Sequence, residues 1–290
     1  MSIIFIIILL QGLKVKGINS LESKKIEELS KKITKRTGTY ILKNVNKVNV
    51  KNYKTNSDGQ KEVVTQIDLD IHNNIQKEIK NLFPNHNILS EEDIDSFSYD
   101  FKNPLWIIDP LDGTSNFSNG LSIFGSQISY IEDYKTRYAN IYIPSISSID
   151  GDYIFWSQES GLSKNNITVE LNNKSNFSFV PGNLYTDYNE SKKYSKVKHI
   201  ANDYRNFGSI SFEGAMVALG KAKSMLCNNP KIWDVSGLIG IFSNEKQCIY
   251  LRDSKNKKGK WKKMKSMEEI YKNIDKKSYR IGFDIIFTNK

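Results

Sequence analysis

The sequence predicts a layered α/β protein, and three observations carry that expectation. Two early segments, Ser20 to Leu42 and Val63 to Leu82, repeat apolar residues at helical spacing. Five strand-like runs separated by turn residues follow between Ser122 and Val180, and helix-like and strand-like segments then alternate to Phe287. With 290 residues, 39% of them apolar, and 15 Tyr, 14 Phe and 4 Trp, the chain can build a large core and is not a disordered one. Layered folds of this length form one unit with two lobes. The expected division is an N-terminal extension over 1–17 and one domain over 18–290, with lobes of about 18–180 and 181–290.

In chain order, Leu21, Ile26, Leu29 and Ile33 mark one stripe of an amphipathic helix with a charged outer face. The polar stretch Asn44 to Lys61, with Ser57-Asp58-Gly59, reads as a turn or loop. Ile67, Ile71, Ile75, Ile79 and Leu82 then give a second helix that Pro84 ends, with Asp68 in its first turn. Ile88 to Ser90 is a short strand ending at Glu91, and Asp95 to Asn103 reads as a surface loop.

The chain is organised around Trp106-Ile-Ile-Asp-Pro-Leu-Asp-Gly-Thr-Ser-Asn-Phe117. The apolar run Leu105 to Ile108 is long enough for a buried strand and delivers Asp109 at its end. Pro110 is expected to stop the ladder, so that Asp109 and Asp112 converge and the Leu111 carbonyl is freed: a cradle for a hard cation. Gly113, Thr114 and Ser115 stand where a helix would start, a place that attracts an anion such as phosphate.

Later strand-like runs are Ser122 to Ile131, Tyr138 to Ile143, Tyr153 to Trp156, Ile167 to Leu171 and Phe177 to Val180, which fit an antiparallel sheet. A helix over Ile210 to Gly220 shows Gly214, Ala215 and Ala218; Lys223 to Cys227 is a strand, Trp233-Asp234 opens a helix through Phe242, and Lys246 to Leu251 and Ile281 to Phe287 are late strands.

The motif Asp109-Pro-Leu-Asp-Gly-Thr-Ser-Asn-Phe117, with Ser90-Glu91-Glu92 before it and Trp233-Asp234-Val235-Ser236-Gly237 after it, resembles the inositol monophosphatase family of Mg²⁺-dependent, lithium-sensitive phosphomonoesterases. The resemblance spans roughly Ser20 to Lys290 and implies an αβαβα sandwich of the sugar-phosphatase type, a homodimer, and hydrolysis of a small phosphomonoester similar to inositol 1-phosphate. It implies Mg²⁺ as cofactor, with one ion on Glu91, Asp109 and the Leu111 carbonyl and a second on Asp109, Asp112 and Asp234; a third, weaker ion near Glu91 also fits. Oxygen ligands suit Mg²⁺, and a pair of ions neutralises the phosphate dianion and the departing alkoxide. Thr114 and Asp68 would align the attacking water, with Glu91 as a further catalytic residue. Asp112, Gly113, Thr114, Ser115 and Asp234 would hold the substrate beside Gly208, Ser209 and Ile210, which match the positions that line the alcohol pocket in relatives.

Two departures stand out. The Gly-rich, Arg-containing segment of relatives is replaced by Ser157 to Asn166, where only Gly161 and Asn165 match. The acid seven positions before the last Asp, which contacts the sugar ring in many relatives, is Cys227 here, which weakens inositol as the substrate. Alternatives in the same class are a 3′-phosphoadenosine 5′-phosphate phosphatase and a fructose-1,6-bisphosphatase, although Thr114-Ser-Asn-Phe117 leans to the inositol branch. A non-catalytic RNA- or protein-binding member of the fold is the alternative from another class.

The net charge of +10 comes from lysines scattered along the chain, a composition explained as readily by an AT-rich genome as by a function, though it would steer anionic substrates. The dense run Lys255 to Lys265 around Trp261 reads as a solvated hairpin loop, so a nucleic-acid partner is not expected. His72, His86 and His199 share no spacing and are read as structural or exposed; Cys227 and Cys248 are read as buried thiols in a reducing compartment. Ile3 to Leu10 is too short to span a bilayer and has neither a basic flank nor a cleavage site. For Met1 to Lys16 an upstream start, a segment packed on the body and a weak membrane contact all remain open, the last not favoured. The sequons, including Asn116-Phe117-Ser118, follow from Asn-rich composition, and the expected compartment is the cytoplasm.

Overall fold

The computed structural model describes residues 20–45, 52–55, 61–94, 100–145, 148–171, 175, 177–179 and 203–290. The expectations for residues 1–17, for Ser57-Asp58-Gly59 and for His199 lie outside them.

Helices α1 (Ser20–Asn44) and α2 (Gln66–Leu82) form the first layer, with a hairpin of β1 (Asn52–Thr55) and β2 (Lys61–Val64) between them in sequence. The hairpin corrects the expected loop over 44–61, whose polar composition hid the pairing of Tyr53 with Val63. The predicted stripes are shorter than drawn: Ile26, Leu29, Ile33, Ile67, Ile71, Ile75 and Ile79 are buried, while Leu21 and Leu82 are 60% and 57% exposed at helix ends that overhang the sheet.

The second layer is a seven-stranded sheet in the order β3 (Asn87–Ser90), β4 (Leu105–Asp112), β5 (Gly125–Glu132), β6 (Lys135–Ile143), β7 (Asp152–Ser157), β8 (Gly161–Lys164), β9 (Ile167–Thr168). Only β3 and β4 run parallel. Strand periodicity divides the core: Trp106 and Ile108 face α1 and α2, whereas Leu105 and Ile107 face the opposite cluster. Phe101 belongs to that second cluster, so the expected surface loop before β4 carries a core side chain.

That opposite face is covered by α4 (Ile210–Ala218) and α5 (Ile232–Ile241), which follow a short α3 (Thr114–Ser118). Beyond them lies a six-stranded sheet, ordered β11 (Asp203–Arg205), β10 (Phe177–Phe179), β12 (Ser224–Cys227), β15 (Phe283–Asn289), β13 (Gln247–Asp253), β14 (Lys262–Lys263). Phe177–Phe179, read in sequence as part of the first antiparallel set, is corrected by this pairing: β10 lies parallel to β11 and β12 of the second sheet. A parallel neighbour requires a crossover, and the connecting residues 180–202 lie outside the described ones. A further short helix, α6 (Met267–Tyr271), packs near β6.

The second sheet and helices therefore sandwich the first sheet as an α/β layered fold. The small residues of α4 let it meet α5 closely: a Cβ added at Gly214 would stand 2.5 Å from Leu238 Cδ1. Gly214→Val is expected to destabilise the protein by about 2 kcal/mol or more, read as a lower urea midpoint.

Candidate active site

The site grows from an irregularity in β4. Asp109 pairs with Gln127 and Asp112 with Gly125, so three steps on β4 face two on β5: one extra residue forms a bulge. The strand thus continues through Pro110 to Asp112, a correction to the expectation that proline would end it. The missing proline N–H is accommodated because the bulge leaves that position out of the ladder. Asp109 is buried, its carbonyl accepting from Ser126 Oγ at 3.1 Å.

Gly113 then turns the chain at φ 79°, and a Cβ there would meet the Ile123 carbonyl and Ser209 Cβ at 3.0 Å, so glycine is needed for conformation and for space. The turn starts α3 and aims Thr114 back: its hydroxyl reaches the Leu111 carbonyl at 2.7 Å and Asp68 Oδ1 at 3.2 Å. The Leu111 carbonyl is therefore engaged by Thr114 rather than left free as expected. Asn116 donates to the Ile123 and Phe207 carbonyls, tying this turn to the chain ahead of α4.

Asp68 and Asp234 are both third residues of their helices and solve the same local problem. Asp68 Oδ2 accepts from the Thr65 amide (2.8 Å) and hydroxyl (2.5 Å), and Asp234 Oδ2 accepts from the Lys231 amide (2.9 Å). Each closes a first turn that would otherwise carry an unpaired donor. For Asp68 the second carboxylate oxygen is left to face Thr114, so the cap and the site share one side chain. Asp112 Oδ2 accepts from Ser209 Oγ (2.7 Å) and the Ser211 amide (2.5 Å) at the start of α4, which fixes Gly208, Ser209 and Ile210 against the bulge. Gln127 braces the floor, donating to Ser211 Oγ and the Asp234 carbonyl.

Glu91 directly follows β3, its amide donating to the Ile108 carbonyl one strand over. Its charge is felt by Asp68, Asp112 and Asp234, so acids from four parts of the chain share one electrostatic neighbourhood. Burial, reinforced by Glu91 and Asp112 and opposed by Lys231, pushes Asp234 up to about 8. Burial also raises Asp112 to about 6, against hydrogen bonds from Ser209 and Ser211. Asp68 rises to about 6 by burial, with the Thr65 bonds opposing and Glu92 and then Glu91 adding. Glu92, next to Glu91, therefore also acts on the site.

Among the described residues no three His, Cys, Asp or Glu side chains are gathered into a ready-made cation cage. Asp112 and Asp234 each turn an oxygen to protein donors, as like charges at close quarters must. The donor chemistry nevertheless fits a hard cation: Glu91, Asp109, Asp112 and Asp234 are an all-oxygen set of buried or half-buried carboxylates. His72 and His86 are buried elsewhere, held below the usual imidazole range by desolvation; His86 accepts from Trp106 Nε1.

A cavity of about 780 Å³ opens beside this group. Asp112, Asp234, Gly208, Ser209 and Ile210 line it, whereas Glu91, Asp109, Gly113, Thr114, Ser115 and Asp68 are not among its lining residues. Sequence reasoning missed Glu213, which also lines it, and the cationic side chains Lys255, Lys257 and Arg280 at its rim. Lys257 is held by Asp284 at 2.9 Å, which Arg252 also pairs at 2.7 Å, and Arg252 stacks on Trp261 at 4.7 Å. The basic hairpin is thus anchored, and its aromatic ring is covered. Only the lysine density of that run, seven in eleven residues, could have pointed to the rim; an acid at the fourth position of a helix gives no signal at all.

Fold and site together define a phosphoryl-ester hydrolase of the layered α/β type. Residues 22–243 match the model of the inositol monophosphatase family, and the chain belongs to that family, whose members are phosphomonoesterases. It is 28% identical over 184 residues to the fructose-1,6-bisphosphatase/inositol-1-monophosphatase of Thermotoga maritima (62% of this chain, 68% of that one). It is also 25% identical over 212 residues to the Nus factor SuhB of Xylella fastidiosa (71% and 74%). Among solved structures, a staphylococcal inositol monophosphatase soaked in LiCl as an inhibitory complex superposes with TM-score 0.69 at 19% identity, over 92% of this chain and 91% of that one. An inositol monophosphatase/NADP phosphatase complexed with Mg²⁺ and phosphate superposes with TM-score 0.67 at 18% identity, over 92% of each.

Proposed function

We propose that this enzyme hydrolyses a small phosphomonoester of the inositol 1-phosphate type with Mg²⁺. The observation that carries the reading is that Thr114, bonded to Asp68, stands two residues past Asp112, which with Asp234 lines a ligand-sized cavity. Glu91, Asp109, Asp112, Asp234 and the Leu111 carbonyl are the residues that would hold two ions, with a third near Glu91 as an extension of the same reading. When bound, such ions neutralise the phosphate, activate water and stabilise the leaving alkoxide. Thr114 holds a water in line through its hydroxyl, and Asp68 accepts the proton passed through Thr114. The amides of Gly113, Thr114 and Ser115, which follow the cavity-lining Asp112 in the chain, would bind phosphate oxygens. Ser209 and the Ser211 amide keep Asp112 oriented, and Gly208 and Ile210 shape the alcohol pocket.

A homodimer, lithium inhibition and a cytoplasmic location belong to the same proposal; sedimentation and LiCl titration test the first two. Among the described residues no helix is long and apolar enough to cross a membrane. A second reading within the class is favoured by the cationic rim of Lys255, Lys257 and Arg280, which suits a second phosphate, as on a sugar bisphosphate. A non-catalytic binding role gives no reason for Thr114 and Asp68 to be paired. The deciding experiment is phosphate release from inositol phosphates, nucleotide 3′-phosphates and sugar bisphosphates with Mg²⁺. Turnover of the first group fits the main reading, of bisphosphates the second; no release from any refutes both.

A further inference from the structure

Glu213 has no part in the chemistry above, yet it lines the cavity with Asp112, Cys227 and Asp234. It lies on the first turn of α4, and only 6% of its surface is exposed. One carboxylate oxygen, Oε1, accepts from the Phe207 amide (2.5 Å) and the Gly208 amide (3.2 Å). Those bonds clamp the turn that carries Ser209 to Asp112, and they account for one oxygen. The other oxygen, Oε2, has no hydrogen-bond donor among the described residues, and the cavity is the side from which one can come. A carboxylate has lone pairs for about four donors and the protein supplies two, so the remaining capacity is open to a donor that enters the cavity. A site ready to accept rejects ligands that cannot donate. Cys227 lines the same cavity, and its thiol is only a weak competing donor.

We propose that Glu213 is a specificity-determining residue whose free carboxylate oxygen accepts a hydrogen bond from a hydroxyl group on the alcohol portion of the substrate. The ligand class is a polyol phosphate, in preference to a phosphate of a simple aryl or alkyl alcohol. This inference rests on the phosphomonoesterase reading of the same cavity.

The test pairs Glu213→Gln with two substrates, myo-inositol 1-phosphate and p-nitrophenyl phosphate. The Gln carbonyl can keep both amide bonds to Phe207 and Gly208, while its NH₂ turns a donor into the cavity where an acceptor had been. The ratio of KM for the inositol ester to KM for the aryl ester should rise roughly tenfold or more, with kcat for the two esters moving by a common factor. Deoxy-inositol phosphates on the wild-type enzyme make the same measurement without a variant: removing one particular hydroxyl should raise KM by a similar factor, and that hydroxyl should cease to matter in Glu213→Gln. An equal change in KM for both esters, or insensitivity of the wild type to every hydroxyl removed, would show Glu213 to be a loop clamp only and overturn the proposal. If the wild type hydrolyses neither ester, the inositol 1-phosphate reading itself fails, and this inference with it.

Discussion

Asp109→Asn lowers kcat/KM for phosphate release by about three orders of magnitude or more, measured at saturating Mg²⁺. The side chain is buried on the bulge and nearly isosteric with Asn, so the backbone that presents Asp112, Gly113 and Thr114 is left in place. Replacing a buried carboxylate by a neutral amide also removes a desolvation cost. The melting temperature without added metal should therefore hold or rise while activity collapses. That opposition separates a functional acid from a structural one. A variant that retains wild-type turnover would remove Asp109 from the assignment; one that loses activity and folding together would leave it a role in the sheet alone.

The second large effect is a pH dependence of stability that Mg²⁺ cancels. Asp234 and Glu213 are raised to about 8 and about 7, and Asp112 and Asp68 to about 6, chiefly by burial. For an acid whose folded pKa lies above its unfolded value, the folded state binds more protons across the interval, so stability present at low pH is lost as pH rises through the folded value. His72 and His86, lowered by burial, act in the other direction below about pH 6.5. From pH 6.5 to 8.5 the acids dominate. Protein dialysed against EDTA should melt lower across that window, by roughly 5 °C, and millimolar Mg²⁺ should flatten the slope by giving the ionised carboxylates a counter-charge. Asp234→Asn should flatten it without metal. A melting temperature that does not move with pH in the dialysed protein would mean that these acids are not packed as the structure has them.

Much of the site could be read from the residues because its parts are local. Asp109-Pro-Leu-Asp-Gly-Thr is a single bulge and turn, and the need for Gly113 at positive φ follows from the tightness of that turn. Asp68 and Asp234 were visible as first-turn acids, but nothing in a helix start says whether an acid there is a cap or a ligand; here both are caps, and Asp68 is also Thr114's partner. Pro110 misled because its missing donor was weighed without the bulge that tolerates it. The strand at Phe177–Phe179 misled because an apolar triplet between turns carries no information about which sheet it joins. Glu213 and Gln127 were invisible because their partners lie on other elements: Phe207 and Gly208 for one, Ser211 and the Asp234 carbonyl for the other.

What the chain determined by itself is the set of elements with a strong period, Ser20–Asn44 and Gln66–Leu82 among them, and the identity of the acids that cluster around the Asp109 motif. Periodicity and turn chemistry act between residues a few positions apart, so a linear string carries them. Tertiary structure alone decided that these acids act on one another, that Leu111 and Asp112 are already engaged by Thr114 and Ser209, and that Glu213 and the Lys255 to Arg280 rim border one cavity. Burial and the distance between charges set both pKa and ligand preference, and neither quantity exists until strands and helices remote in sequence pack against each other.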